Sequence, residues 1–380
     1  EDVLKKNYKN LKFKKEIFYT DKEEQTLMKM KAQIDEGNTS KIPSYKLEKI
    51  KADIAQWEAA EVKDYRKVKG FELKTGIVDE WLEWTDRSQY ERDGFYPKTE
   101  VPYETFNQFL GFDIEKIGDY KDRVAQMTKE ELEKELDFIF THIKNIVGKE
   151  KKDKLFAEFM KYVAHMFKYP SVLPRVGWFI HSKEGTGKNQ LLNLFMNMIG
   201  EQYSISTAKG EQLFGRFNAL LNHKLIVNLN EIHNLPAYIE DIKTCVTDKR
   251  VPTEKKGKEV KLQDNYTRMF FYGNNPNAMI IGFTDRRWIV CEAEYKQTKV
   301  EGYMDELARQ VDDIFIQKCL YRYLTEFVEV SKHYNFMANR PKTTSYHELR
   351  KRNIPWFHRF VKYLWEKFGK KLETIKWTKP

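Results

Sequence analysis

Residues suited to gripping and cleaving a phosphoanhydride are concentrated between positions 176 and 290. The most informative stretch is Val176-Gly-Trp-Phe-Ile-His-Ser-Lys-Glu-Gly-Thr-Gly-Lys-Asn189, an apolar run, a glycine loop and the mouth of a helix. Gly185 and Gly187 permit positive φ, which turns successive backbone N–H groups inward beside a helix N-terminus, the arrangement that holds phosphate oxygens. The candidate nucleotide-binding residues are therefore Lys183, Glu184, Gly185, Thr186, Gly187, Lys188 and Asn189, with Lys188 supplying a cation. Against the phosphate-loop pattern G-x-x-x-x-G-K-[ST] there are two departures. Ser182 replaces the first glycine, and Asn189 replaces the hydroxyl residue that helps hold Mg2+, offering a neutral, bulkier amide. A glycine loop alone is also compatible with an ordinary strand-to-helix turn.

Further along, Lys224-Leu-Ile-Val-Asn-Leu-Asn-Glu231 is an apolar run ending in Asn230 and Glu231. A strand placed beside a phosphate loop can present one side chain to the metal and the next, here Glu231, as general base for water. With Asn189, these make Asn189, Asn230 and Glu231 the candidate metal set. A second apolar run, Thr267 to Tyr272, ends in Gly-Asn274-Asn275, where an amide can orient water against a terminal phosphate. Asp285-Arg286-Arg287 precedes a third run; a guanidinium there can stabilise the charge of phosphoryl transfer, and an internal pair with Asp285 or Glu292 is the alternative. Which arginine serves is left open by the sequence. Between the first two of these runs, Lys249, Arg250, Lys255, Lys256 and Lys258 crowd around Gly257, flanked by Val251, Thr253, Val260 and Leu262 in alternation. That pattern predicts a β-hairpin with a basic tip, suited to nucleic-acid phosphates rather than base edges.

The elements that must position these groups follow from the apolar pattern. Val176 to Ile180 reads as a buried parallel strand, and Gln190 to Ile199 continues in helical phase through Leu191, Leu192, Phe195 and Ile199. Before them, Asp21–Asp35 and a segment opening at Ser44 and running to about Ala60 read as an antiparallel helical pair. The Lys63–Lys69 charge run reads as a solvated face. Trp81, Trp84, Tyr90, Phe95 and Tyr96 form an aromatic cluster, read as packing in preference to base stacking. Thr128 and Glu131 spell a capping box that opens a helix with Leu132, Leu136, Ile139, Phe140 and Ile143 on one stripe. A helix over Lys154–Tyr169 ends at Pro170. Met304 to Phe327 is helical, and Pro355 to Trp365 is an aromatic amphipathic helix expected to pack on the core, followed by Ile375-Lys-Trp377.

Composition sets the outer bounds. The 380 residues carry a formal net charge of +10, with 33% charged, 41% hydrophobic and 14% aromatic residues, which describes a folded chain with a charged surface and favours a polyanionic partner. No apolar run approaches the roughly 20 residues of a membrane span, so no membrane partner is expected. Three scattered cysteines make neither a zinc site nor a disulfide framework, pointing to a reducing, cytoplasmic compartment. The missing initiator Met suggests a fragment of a longer protein.

Taken in order, Glu-Gly-Thr-Gly-Lys-Asn189, the Asn230-Glu231 run end, the basic hairpin and Gly-Asn-Asn-Pro276 followed by Asp-Arg-Arg287 resemble a superfamily 3 helicase, more narrowly the primase-helicase group of viruses and phages, as in the carboxyl-terminal part of a phage primase-polymerase. The resemblance covers residues 100 to 300. It implies an AAA+-like α/β P-loop ATPase core binding ATP and Mg2+, assembled as a homo-hexamer around single-stranded DNA and attached to an N-terminal primase-polymerase domain, in the host cytoplasm. In that frame Lys188 binds phosphate, Asn189 takes the metal position, Glu231 activates water and Asn274 is the polar sensor. Arg286 or Arg287 reaches a neighbour's nucleotide, and the hairpin enters the channel. The expected organisation is a helical region over 1–100, a helical lead-in over 101–170, the ATPase core over 171–300 and a helical segment over 301–380.

Overall fold

The structure, a computed structural model, describes residues 12–39, 42–60, 62–63, 66–75, 90–231, 235–274, 279, 281–282, 285–294, 299–352, 354 and 356–369. The chain forms two compact units, Glu1–Tyr90 and Glu91–Pro380.

In the first unit, helices α1 (Asp21–Asp35) and α2 (Ser44–Glu58) stand where the sequence pattern places them. Thr20 caps α1 reciprocally with Glu23, whereas α2 is preceded by Pro43, with Ser44 as its first helical residue rather than its cap. The purely helical reading of residues 1–100 does not hold. Strand β1 (Lys12–Phe18) pairs antiparallel with β3 (Arg66–Thr75), which also pairs with β2 (Val62–Lys63), so Lys63 and residues 66–69 of the charge run lie on strands. The Lys67-Val68-Lys69 alternation at its end fits strand periodicity. Trp81, Trp84 and Ile375–Trp377 lie outside the described residues.

The second unit opens with a short parallel pair, β4 (Arg92–Gly94) and β5 (Thr105–Asn107), so the lead-in over 101–170 is not wholly helical. It is built on a five-stranded, wholly parallel sheet: β6 (Gly177–His181), β7 (Ser204–Thr207), β8 (Ile226–Asn230), β11 (Arg268–Gly273) and β12 (Trp288–Glu292), in spatial order β12-β6-β11-β8-β7. All six residues of the central β11 are buried, as a strand covered on both faces requires. Successive residues feed opposite cores. Trp178, Ile180, Phe270, Tyr272, Ile289 and Cys291 enter one; Phe179, Met269, Phe271, Trp288 and Val290 enter the other. Helices α3 (Lys129–Glu135), α4 (Asp137–Val147), α5 (Lys152–Lys168), α6 (Lys188–Ile199), α8 (Tyr303–Asp312) and α9 (Ile314–Arg322) supply the first core; α7 (Ile239–Thr247) and α10 (Thr344–Arg352) supply the second.

Two helical expectations change. The Thr128–Glu131 capping box is present, but the helix it starts ends at Leu136, which caps both α3 and α4, so one stripe of apolar residues spans two helices. Met304 to Phe327 is likewise divided, at Asp313, whose side chain accepts from Phe315 N and so opens α9 as an N-cap. Phe95 packs as expected, against Phe109, Tyr203 and a stacked His223. The aromatic helix α11 (Trp356–Phe368) does not: none of its residues is buried, and Trp356 is 70% exposed. Cys245, Cys291 and Cys319 are buried free thiols. Among the described residues, no helix is long and apolar enough to cross a membrane.

Candidate active site

The loop after β6 is fixed at its start by the sheet and at its end by a helix. Ser182 N donates to Gly273 O at 3.1 Å, extending the β6–β11 pairing by one residue beyond the strand. The departure at Ser182 has a structural role: this hydroxyl is buried, accepts from Thr186 Oγ1 at 2.9 Å and donates to Lys183 O at 3.0 Å, closing the loop on itself. Gly185 and Gly187 have φ of +71° and +78°. Nothing lies within 4 Å of where a Gly185 side chain would begin, whereas Gly187 is pressed against His142 and Leu307. Gly187 caps α6 without a side chain, leaving the first-turn N–H groups of α6 able to meet an anion.

Lys188, the first residue of α6, is only 7% exposed, and its amine donates to Asn274 Oδ1. The Asn274 side-chain amide in turn donates to Glu184 Oε1 at 3.3 Å, and the Asn274 backbone carbonyl accepts from His181 Nε2 at 3.0 Å. Burial pulls the Lys188 pKa below the ordinary lysine value, opposed by the negative charges of Glu231 and Glu184. Glu231 N donates to Tyr272 O at 3.0 Å, so Glu231, Asn274 and the loop stand in one row at the C-terminal ends of β8, β11 and β6. Glu231 is exposed and has a positive φ of +50°, an uncommon conformation that turns the chain immediately after the strand.

The strand carrying Asn230 and Glu231 is not the immediate neighbour of the loop strand, however; β11 lies between them. Glu231 is thus about 10 Å across the sheet from the end of β6, two strand spacings. That gap leaves room for a phosphate chain and a water, and places the Asn274 amide at its centre. Asn275 lies outside the described residues.

A second layer behind the loop escaped the motif reading. His142, on α4, is buried, with Nε2 3.3 Å from Gly187 O and Nδ1 3.0 Å from the Tyr303 hydroxyl. A carbonyl only accepts, so Nε2 carries the proton and Nδ1 accepts from Tyr303. Burial lowers the His142 pKa to about 4, keeping this tautomer neutral. No local pattern marks His142; only the fold brings it 45 residues forward in sequence to Gly187.

Asn189 is exposed at the first turn of α6, and Asn230 is half-buried at the end of β8. Among the described residues no three His, Cys, Asp or Glu side chains converge as a metal site. The donor set fits Mg2+ as an ion held chiefly by nucleotide phosphates, with Glu231 as the carboxylate and amide oxygens nearby, the usual habit of this cation.

The two arginines differ. Arg287 stands 3.7 Å from buried Asp285, which also accepts from Arg287 N at 2.9 Å. Arg286 is exposed, and no hydrogen bond or ion pair holds its side chain among the described residues. Both precede β12, and Arg287 O accepts from Gly177 N, at the start of β6. They therefore lie at the opposite end of the sheet from the loop, roughly 17 Å away by strand rise.

The basic hairpin forms as its sequence predicts, from β9 (Arg250–Thr253) and β10 (Lys261–Asp264) in antiparallel register. Lys249, Lys255, Lys256 and Lys258 are exposed, while Arg250 pairs with Asp264 at 3.0 Å. The inward alternation is confined to β9: Val251 and Thr253 are buried, but Val260 and Leu262 face solvent.

Comparison with known proteins fits this geometry. Residues 180–287, from the last residues of β6 to the paired arginines, match a family of unknown function, DUF5906. Over 159 residues the chain is 28% identical to the DNA primase-polymerase of Nitratiruptor phage NrS-1, a match covering 40% of this chain and 22% of that protein's length. Apo structures of the NrS-1 C-terminal region share the fold: one aligns with a TM-score of 0.58 at 19% identity over 77% of this chain and 72% of that one, another with 0.59 over 78% and 72%. The chain is thus an α/β protein with a parallel five-stranded sheet, similar in sequence to a phage primase-polymerase and in fold to that protein's C-terminal region.

Proposed function

We propose that the chain is the ATP-dependent motor module of a phage replication protein, a ring-forming helicase or translocase that hydrolyses ATP to move along single-stranded DNA. The observation that carries this reading is the row at the C-terminal strand ends: an amide-lined loop, a buried lysine, a polar sensor and one carboxylate. In this scheme the amides of residues 185–189 and the Lys188 amine bind the phosphates of ATP. Mg2+ supplies charge neutralisation on the phosphate oxygens when bound. Glu231 accepts the proton of the attacking water, a contribution of about 10² to 10⁴ in rate for a positioned base. Asn274, already engaging Lys188, orients that water, and His142 and Tyr303 hold the back of the loop. Arg286, unpaired and remote from its own loop, acts on the nucleotide of an adjacent copy in a homo-hexamer, where such a group supplies about 10³ to 10⁵. The basic hairpin tip grips DNA phosphates, and an attached primase-polymerase domain uses the strand in the host cytoplasm.

A second reading, a nucleotide-binding ring that clamps or loads DNA with little hydrolysis, is favoured by one feature: Asn189 and Asn230 are neutral where a metal site gains from charge. ATP turnover with and without single-stranded DNA separates the two. DNA-stimulated turnover that disappears in both Lys188→Ala and Glu231→Gln supports the motor. DNA binding with negligible turnover in the parent supports the clamp, and absence of ATP binding sinks both.

A further inference from the structure

At the N-terminal ends of β6 and β11, opposite the phosphate loop, a cavity of about 730 Å³ opens between the Ser171–Arg175 segment, the root of the hairpin and residues 332–337. Arg175, Lys249 and Lys332 line it, all exposed and without a carboxylate within ion-pair distance among the described residues. The acidic residue in the lining, Asp264, is already paired with Arg250. A second cavity of about 450 Å³ beneath the hairpin adjoins it, sharing Asp264 and Tyr266 and adding Lys255, Lys258 and Lys261, with the carboxylates Asp93 and Glu259 also on its wall. Tyr266, half-buried and resting on Phe95 at 5.9 Å, is the wall common to both.

The floor of the larger cavity hides a further positive charge. Arg268 is completely buried, and among the described residues no carboxylate pairs with it. Its guanidinium donates to the carbonyls of Pro170, Tyr266, Tyr169 and Val172 at 2.7 to 3.1 Å and meets His165 Nδ1 at 3.4 Å. Those carbonyls take up the protons of its two terminal nitrogens, Nε has no partner among the described residues, and its net charge in a low-dielectric interior is felt well beyond contact distance. The root is also held rigidly: Asn265 Nδ2 donates to Cys245 O and Asp248 O at 2.7 and 2.8 Å, and Asn265 N to Lys249 O at 2.8 Å.

We propose that these two cavities form one groove for a single-stranded nucleic acid at the hairpin root, its phosphates on Arg175, Lys249 and Lys332 and one base stacked on Tyr266. The combination matches what unspecific strand binding needs, a cationic track interrupted by an aromatic face. It rests on the nucleic-acid half of the proposed function and extends the contact surface from the hairpin tip, through Lys255 and Lys258, to the hairpin root.

Binding of a fluorescent oligothymidylate to the full chain, measured by anisotropy across a salt series, tests it. Combined Arg175→Glu, Lys249→Glu and Lys332→Glu should lower the salt slope by about 2 and weaken binding roughly 100-fold at 0.1 M salt, from ~0.7 counterion per phosphate contact. Tyr266→Leu should weaken binding roughly 5- to 150-fold while Tyr266→Phe retains it, as expected for stacking. Parent affinity and slope in the triple variant, or equal binding by the leucine and phenylalanine variants, overturns the groove. Should a variant fail to fold, photocrosslinking of the parent to bromouracil-substituted strand decides: adducts at 171–175, 264–268 or 332–337 support the groove, and adducts confined to 254–260 overturn it. A parent that binds no strand removes the proposed DNA substrate as well, whereas a parent that binds independently of the root removes only the groove.

Discussion

Replacing Gly187 and Gly185 by alanine, one at a time, separates two demands that the loop makes on glycine. Both residues have positive φ, which costs a side-chain-bearing residue about 1 to 2 kcal/mol. Only Gly187 adds a steric conflict: its new Cβ would stand 2.6 Å from His142 Cε1 and 2.9 Å from Leu307 Cδ2, both in a buried wall. Overpacking of that kind costs a further ~1 to 3 kcal/mol. Gly187→Ala should therefore lower the urea-unfolding free energy by about 2 to 5 kcal/mol and Gly185→Ala by about 1 to 2. Binding of a fluorescent ATP analogue should show the reverse emphasis at Gly185, where the added methyl enters the space the phosphates would use: affinity should fall about tenfold with little further loss of stability. Pairing Gly187→Ala with His142→Ala should return part of the loss, a coupling of about 0.5 to 3 kcal/mol. Equal stability costs at the two glycines, or strict additivity with His142→Ala, would refute the account of the loop's rear wall.

Two further outcomes follow from the geometry. His142 and His165 are both buried with pKa values lowered from 6.5 to about 4, so between those pH values the unfolded chain binds more protons than the folded one. Stability should fall as pH drops from 6.5 towards 4, by up to about 3 kcal/mol per histidine, and His142→Gln should reduce that slope in pH-dependent urea melts. For the arginines, Arg286→Ala should leave stability within about 0.5 kcal/mol of the parent, while Arg287→Ala frees buried Asp285 and should cost about 1 to 3 kcal/mol. If Arg286 acts between copies, mixing Lys188→Ala with Arg286→Ala protein should restore some ATP turnover, and no recovery at any ratio counts against it.

Much of the candidate row was legible because strand-loop-helix grammar is local: Gly185, Gly187, Lys188, Glu231 and Asn274 announce themselves by residue type at the ends of apolar runs. Strand order is not local. Nothing in the run 267–272 says that it inserts between the strands before Ser182 and Glu231, although this sets the spacing of the site. The break at Leu136 was hidden because its apolar stripe continues across two helices. His142 was invisible for a related reason, since its partners, Gly187 and Tyr303, are 45 and 161 residues distant. The aromatic helix at 356–368 failed as a packing prediction because amphipathicity declares that a face wants cover without naming what covers it.

The parallel strands give the second unit a front and a back, with the glycine-loop amides on one rim and the loose Arg286 guanidinium on the other. A rigid slab built this way cannot fold its own arginine over its own loop, however the side chains swing. Any arginine-completed site would have to be shared front to back, and a contact of that handed kind repeats around a closed circle or along an open filament, never as a symmetric face-to-face pair.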